Sequence, residues 1–150
     1  MTLRERNADK AGIDELTERF FRVFGNKDGR IPDLDSLHEL FVASALITKN
    51  VGAAPEFYGI DEFIEPRRKL LSDGTLVDFE EHELAERTEI FGGIAQRFCL
   101  YEKSGVHMGT PFRTRGMKSL QFVRTNDGWK IAAVAWDDER ESLTIDLSRW

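Results

Sequence analysis

Gly116-Met117-Lys118-Ser119-Leu120-Gln121-Phe122-Val123-Arg124-Thr125 runs into Asn126-Asp127-Gly128 and on through Trp129-Lys130-Ile131-Ala132-Ala133-Val134-Ala135-Trp136. Two runs rich in β-branched and aromatic residues flank a short turn built from the residue types that tolerate positive φ, which is the pattern of a β-hairpin. Working back along the chain, similar strand-like segments cover about Thr75–Glu89, Ile90–Lys103 and Thr114–Thr125, with the last strand at about Trp129–Asp137. Gly92-Gly93 marks a turn or bulge, and Gly105–Pro111 reads as a loop. Helical patterning precedes all of them. The class is therefore α+β: a strongly curved antiparallel sheet wrapped around three N-terminal helices, with room for an internal pocket.

The first helix is expected from about Asp9 to Phe24, because Ile13, Leu16, Phe20, Val23 and Phe24 form one stripe with Glu15, Glu18, Arg19 and Arg22 opposite. Gly25 closes it. A second, shorter helix is expected from Asp33 or Asp35, carrying Leu37, Leu40 and Phe41. Ala45-Leu46-Ile47-Thr48 reads as a brief strand. A third helix begins near Gly59 or Asp61 and ends at Gly74, with Pro66 expected to kink it at Glu65. The chain shows no internal repeat and no linker, so residues 1–150 read as a single domain with its core at about 9–138 and polar termini.

Bulk properties narrow the function. The 150 residues suffice for a real core. A formal charge of −6, with cationic clusters only at Arg67-Arg68-Lys69 and around Arg113, Arg115 and Lys118, argues against nucleic acid as a partner. The single cysteine, Cys99, lies in an apolar run and reads as a buried thiol. The polar start, Met1-Thr2-Leu3-Arg4-Glu5, has no apolar signal region, and no apolar run approaches the ~20 residues that span a bilayer. No membrane association and a cytoplasmic location are the expectation. No phosphate-cradling glycine loop or dinucleotide fingerprint occurs, so no cofactor and no metal is expected.

The strands carry apolar residues on both faces. On Ile90–Lys103, Gly93, Ala95, Arg97, Cys99 and Tyr101 oppose Ile94, Gln96, Phe98 and Leu100. On the last strand, Trp129, Ile131, Ala133 and Ala135 oppose Lys130, Ala132, Val134 and Trp136. A sheet with one solvated face alternates cleanly. A second copy of the chain covering the other face, a homodimer through the sheet, is expected on that ground.

The order of helix, short helix, strand, kinked helix and four antiparallel strands resembles the nuclear transport factor 2-like superfamily, with its cone-shaped α+β fold and SnoaL-like members. Three stretches carry the resemblance: Phe20-Phe21-Arg22-Val23-Phe24, Tyr58-Gly59-Ile60-Asp61-Glu62-Phe63-Ile64, and Asp127-Gly128-Trp129-Lys130-Ile131. It spans about Ile13 to Asp137. It implies a mostly apolar pocket between sheet and helices, and a small hydrophobic molecule as ligand. The activities it implies are cofactor-independent cyclase, isomerase or dehydratase chemistry, or a non-catalytic protein-interaction module acting through its sheet face. A ketosteroid-isomerase-like site would place a carboxylate just after the first strand, where Thr48-Lys49-Asn50 stands. It would also place a tyrosine where Phe20 and Phe21 stand. An Asp-Arg-Asp set of the epoxide-hydrolase kind is not identified by any spacing.

Candidate site residues are Arg97, Tyr101, Asp137 and Tyr58. The first three share faces with the small Ala95, Ala133 and Ala135, and a few polar groups among small neighbours suit a ligand site; a structural Arg–Asp pair is the simpler alternative. Tyr58 can donate to a ligand carbonyl or rest against the sheet. Glu80-Glu81-His82-Glu83 is the densest titratable cluster, read as a solvated strand margin. Arg113, Arg115 and Lys118 can clamp an anion or pair with Glu81 or Glu83 across the sheet, the latter preferred. His107 and His38 read as exposed. Trp129 and Trp136 read as core or interface anchors.

Overall fold

The computed structural model describes residues 1–150. Its first helix begins where the sequence first offers a cap. Thr2 Oγ1 accepts the Glu5 amide (3.1 Å) and Glu5 Oε2 accepts the Thr2 amide (2.6 Å), a reciprocal box that satisfies two free donors at the helix start. Helix α1 therefore spans Leu3–Arg22 rather than starting near Asp9. It buries Ile13, Leu16, Thr17, Phe20 and Phe21, and Phe24 follows on the same side. Val23, expected on that stripe, is only half-buried, and Phe21 takes its place.

Asn26, just beyond α1, fastens three elements. Its buried amide donates to the Leu71 and Leu76 carbonyls (2.9 and 2.7 Å), and its Oδ1 accepts from the Phe79 amide (2.8 Å). A 3-10 turn at Leu34–Ser36 leads into the single turn α2 (Leu37–Leu40), then strand β1 (Phe41–Lys49) and short strand β2 (Glu56–Tyr58). Helix α3 spans Ile60–Leu70 without interruption at Pro66 and buries Ile60, Phe63 and Ile64.

Four long strands follow: β3 (Leu76–Phe91), β4 (Ile94–His107), β5 (Thr110–Thr125) and β6 (Gly128–Asp138). The hairpin at Asn126-Asp127 is present, with the positive φ (97°) carried by Gly128. The expected loop Gly105–Pro111 is instead a two-residue turn, Met108-Gly109, both at positive φ, and the ladder pairs Gly105 with Phe112. Gly105 sits within β4 because a Cβ there would lie 3.2 Å from Phe79 Cα and Val77 O.

The six strands form one sheet in the order β2-β1-β6-β5-β4-β3. It is mixed rather than wholly antiparallel: β1 runs parallel to β6. The α3 segment between β2 and β3 lets the chain leave one edge and re-enter at the other. Register shifts at Val77/Glu80 and Glu83/Ala85 in β3 and at Gln121/Phe122 against β6 accentuate the twist and curl the sheet around α1 and α3 without closing it. The core lies inside this curl, from Ile13 and Phe20 across to Tyr101, Phe122, Ile131 and Val134. No helix is long and apolar enough to cross a membrane.

Candidate functional site

The concave face of the sheet, the end of α1 and one side of α3 bound a cavity of about 550 Å³, partly open to solvent. Small-molecule sites occupy roughly 300–1,000 Å³. The apolar wall comes from α1 and the residues just beyond it (Phe20, Phe24), α3 and its C-cap (Phe63, Leu70, Leu71) and the sheet (Leu76, Phe79, Phe112, Trp136). Polar groups interrupt it at Tyr58, Arg67, Glu81, Lys103, His107 and Lys118, with Lys49 and Glu56 at the β1–β2 edge.

Two cations shape its electrostatics. Lys118 is buried, and its Nζ makes an ion pair with Glu81 Oε1 at 2.9 Å. The same ammonium lies 4.1 Å from the Tyr101 ring centroid and 4.6 Å from that of Trp136, with Phe21 at 5.7 Å. Aromatic faces attract a desolvated ammonium, so the rings supply part of what water would have given. Arg67 projects from α3 with its guanidinium carbon 3.6 Å from the Phe63 centroid and 5.7 and 5.9 Å from those of Tyr58 and Trp136. Burial pushes its pKa down, against the opposing pull of Tyr58 and Glu81. It stays charged at neutral pH. Burial likewise raises the Tyr58 phenol, helped by the charge of Glu56.

A larger cleft, about 630 Å³, opens between α1 and β3, but only Phe21 and Phe79 in its lining are hydrophobic. Arg97 sits at its base with a side chain 3% exposed. Its Nε and Nη2 reach the two Glu83 oxygens (2.9 and 2.6 Å), and Nη1 reaches Asp14 (2.6 Å) and Thr88 (3.1 Å). This guanidinium is spent on the protein itself and binds α1 to β3.

No protein-family model and no curated protein matches the sequence. Solved structures do match in shape. A nuclear transport factor 2-like superfamily protein from Salmonella enterica superposes with a TM-score of 0.74 at 18% identity, covering 91% of this chain and 95% of its own. Hexachlorocyclohexane dehydrochlorinase LinA-type3 from Novosphingobium barchaimii superposes with 0.75 at 13% identity, over 93% of this chain and 92% of that one. The structure of LinA gives 0.77 at 12% identity with the same coverage. The chain has the nuclear transport factor 2-like fold.

Within that fold the four residues singled out from sequence fall in separate places. Tyr58 lines the cavity beneath α3. Arg97 belongs to the charged cleft. Tyr101 is fully buried under Lys118, and its hydroxyl donates to Asp138, which also accepts from Lys103 (2.8 Å). Burial, then the neighbouring Asp138 charge, drive the Tyr101 phenol far up. Asp137 faces the convex side, where it accepts from its neighbour's amide (2.8 Å) and from Arg140 (2.7 Å).

The reason is one residue in β6. Gln121 pairs with Ala133 and Phe122 with Ile131, so Ala132 is extra. Past this bulge Val134, Trp136 and Asp138 turn inward, and Ala133, Ala135 and Asp137 turn out. The small residues thus sit on the outer face, and the cavity wall is aromatic. Sequence reasoning passed over Arg67 as a site residue and read His107 as exposed; the pairing it preferred for Lys118, with Glu81 or Glu83 across the sheet, is present as the Lys118–Glu81 ion pair. Glu80 and His82 are exposed as expected of a strand margin, but the Glu81 side chain is only 9% exposed and takes Lys118 as partner. Arg113 and Arg115 pair with Glu102 instead. The one legible signal was alternation: Glu81 and Glu83 share the face opposite His82, the inner one.

Proposed function

We propose that this chain holds a small, largely apolar molecule in the cavity beneath α3, and that the Glu81–Lys118 pair in its wall serves proton-transfer chemistry without a cofactor. The observation that carries the reading is a buried carboxylate and a ring-caged ammonium, 2.9 Å apart, on the wall of a mostly aromatic cavity. Apolar walls with a few convergent polar groups are what small-molecule sites are made of. In such a site the Glu81 carboxylate takes a proton from a carbon beside a carbonyl. The C–H electron pair moves to the carbonyl oxygen, Lys118 stabilises the resulting negative charge, and return of the proton at another carbon completes an isomerisation. A hexachlorocyclohexane dehydrochlorinase among the structural neighbours, an enzyme named for a small apolar ring, supports this class.

The reading extends to the convex face. Leu84, Phe91, Ile94 and Phe98 stay exposed there, an apolar patch suited to a second copy of the chain.

Thermal melting against a panel of cyclic and aromatic metabolites tests the binding claim. A ligand at about 100 times its dissociation constant adds about 2.7 kcal/mol, or roughly 5–10 °C for a domain of this size. Leu70→Trp, which fills the cavity from α3, should abolish the shift while the variant still melts cooperatively. A shift that survives Leu70→Trp, or none across the panel, would overturn the proposal.

A further inference from the structure

Arg67 and Arg97 are both substantially buried arginines, yet their donors are used differently. Arg97 spends its guanidinium on Glu83, Asp14 and Thr88. Arg67 makes one hydrogen bond to protein, from Nη1 to the Phe63 carbonyl at 3.2 Å, and no ion pair with any carboxylate. No wholly enclosed side-chain nitrogen or oxygen lacks a partner, so the remaining Arg67 donors keep access to solvent, and the side chain lines the cavity. Three of the other charges around that cavity, Glu81, Lys118 and Lys103, have close partners. Glu81 is held by Lys118 at 2.9 Å and Lys103 by Asp138 at 2.8 Å. Lys49 and Glu56 stand opposite one another in the β1–β2 register without an ion pair between them. His107 is exposed at the margin. Arg67 is thus a cation set among the cavity's aromatic rings with no carboxylate in ion-pair contact, though Glu81 and Glu56 act on it from farther off, in a chain whose net charge is −6.

From this, and resting on the reading of the cavity as a small-molecule site, we infer that the ligand is an aromatic or alicyclic carboxylate whose anion docks on Arg67 and whose ring rests on the cavity's apolar wall. The guanidinium carbon lies 3.6 Å over the Phe63 ring centroid, a contact that restrains the side chain before any ligand arrives. A planar fork of that kind matches the two oxygens of a carboxylate. A phosphate can take the same fork, but its second negative charge is poorly served where neither a nest of backbone donors nor a helix N-terminus adds to it. The group here projects from the last turn of α3, whose end carries the negative pole of the helix dipole. The carboxylate charge thus rests on the side chain alone, and removing that side chain should remove the preference for an anion.

Calorimetric titration of the full chain with benzoate, trans-cinnamate and 1-naphthoate, each beside its neutral amide, reads this directly. At least one acid should bind at least tenfold more tightly than its amide. Arg67→Gln should erase that ratio while leaving amide affinity within twofold, and Arg67→Lys should restore part of it. The amide serves as the folding control, since a collapsed cavity would lose both ligands. Amides that bind as well as the acids, or a ratio unchanged in Arg67→Gln, would overturn the anion assignment and leave the apolar cavity reading standing. Failure of acids and amides alike would overturn both.

Discussion

Arg97 holds α1 against β3 through groups whose ionisation responds to pH. Partial burial pushes the Asp14 carboxyl up, but hydrogen bonds from Arg97 and Lys10 outweigh it and keep it below its ordinary value. Glu86 behaves alike: burial raises it, while Lys10, Thr88 and the charge of Arg97 bring it down. A carboxyl depressed in the folded state contributes stability that is present above its unfolded pKa, about 4, and lost as pH falls through the folded value. Arg97→Met removes the cation and leaves Glu83, Asp14 and Glu86 facing one another. Breaking a fully buried pair costs about 3–5 kcal/mol. The partners here keep contact with water, Asp14 being 44% exposed, so about 2–3 kcal/mol at pH 7 is the expected loss. Urea unfolding at pH 7 and pH 3 should show the gap from wild type narrowing in acid, as the carboxylates protonate in both proteins. A constant gap would mean that Arg97 acts by packing alone. Arg97 was visible in the sequence as an arginine on an apolar face. Its partners were not, because Asp14 lies on a helix far away in sequence and only the curl of the sheet brings the two together.

Hairpins show why strands were easier to read than their faces. The segments of β3 to β6 were legible from β-branched and aromatic runs, since those signals are local. Which face of β6 turns inward was not, because one extra residue, Ala132, inverts the phase of everything after it. The turn between β4 and β5 was hidden for a related reason: Met108 is an unusual residue for positive φ, here 49°, followed by Gly109 at 82°. Two-residue hairpin turns with both residues at positive φ favour Asn-Gly, and a left-handed conformation costs an ordinary side chain about 1–2 kcal/mol. Met108 is 76% exposed, so little packing is lost with it. Met108→Asn should therefore stabilise the protein by roughly 0.5–1 kcal/mol, seen as a higher urea midpoint at unchanged slope. A lower midpoint would show that the methionine side chain holds the turn by contacts its exposure does not suggest.

At the scale of the whole molecule the chain covers part of its own second sheet face. The sequence implied a cover because the strands are apolar on both sides, and a second copy was the expected one. The C-terminal segment supplies some of it. Trp150 lies 6.2 Å from Phe98 and under Arg87, whose Nη2 donates to the Arg149 carbonyl. Leu143 and Ile145 line the same outer cleft as Met117. Leu100, outward by register, is only 4% exposed and stands apart from the main core. The sequence places this segment in the polar termini, since its apolar residues are spaced too irregularly to signal a strand or helix. What it leaves bare is the end of the sheet at the β3–β4 turn, with Phe91 83%, Ile94 59% and Phe98 50% exposed. Burying such side chains is worth about 25 cal/mol per Å², and paired copies would bury them twice over. Sedimentation at micromolar concentration should then give about twice the 17.2 kDa chain mass. Ile94→Lys with Phe98→Lys sets like charges against each other across a two-fold contact. It should return the mass to one chain while leaving the far-ultraviolet circular dichroism unchanged. A wild-type protein that sediments as a single chain would make the patch ordinary surface, with the C-terminal segment as all the cover the sheet requires.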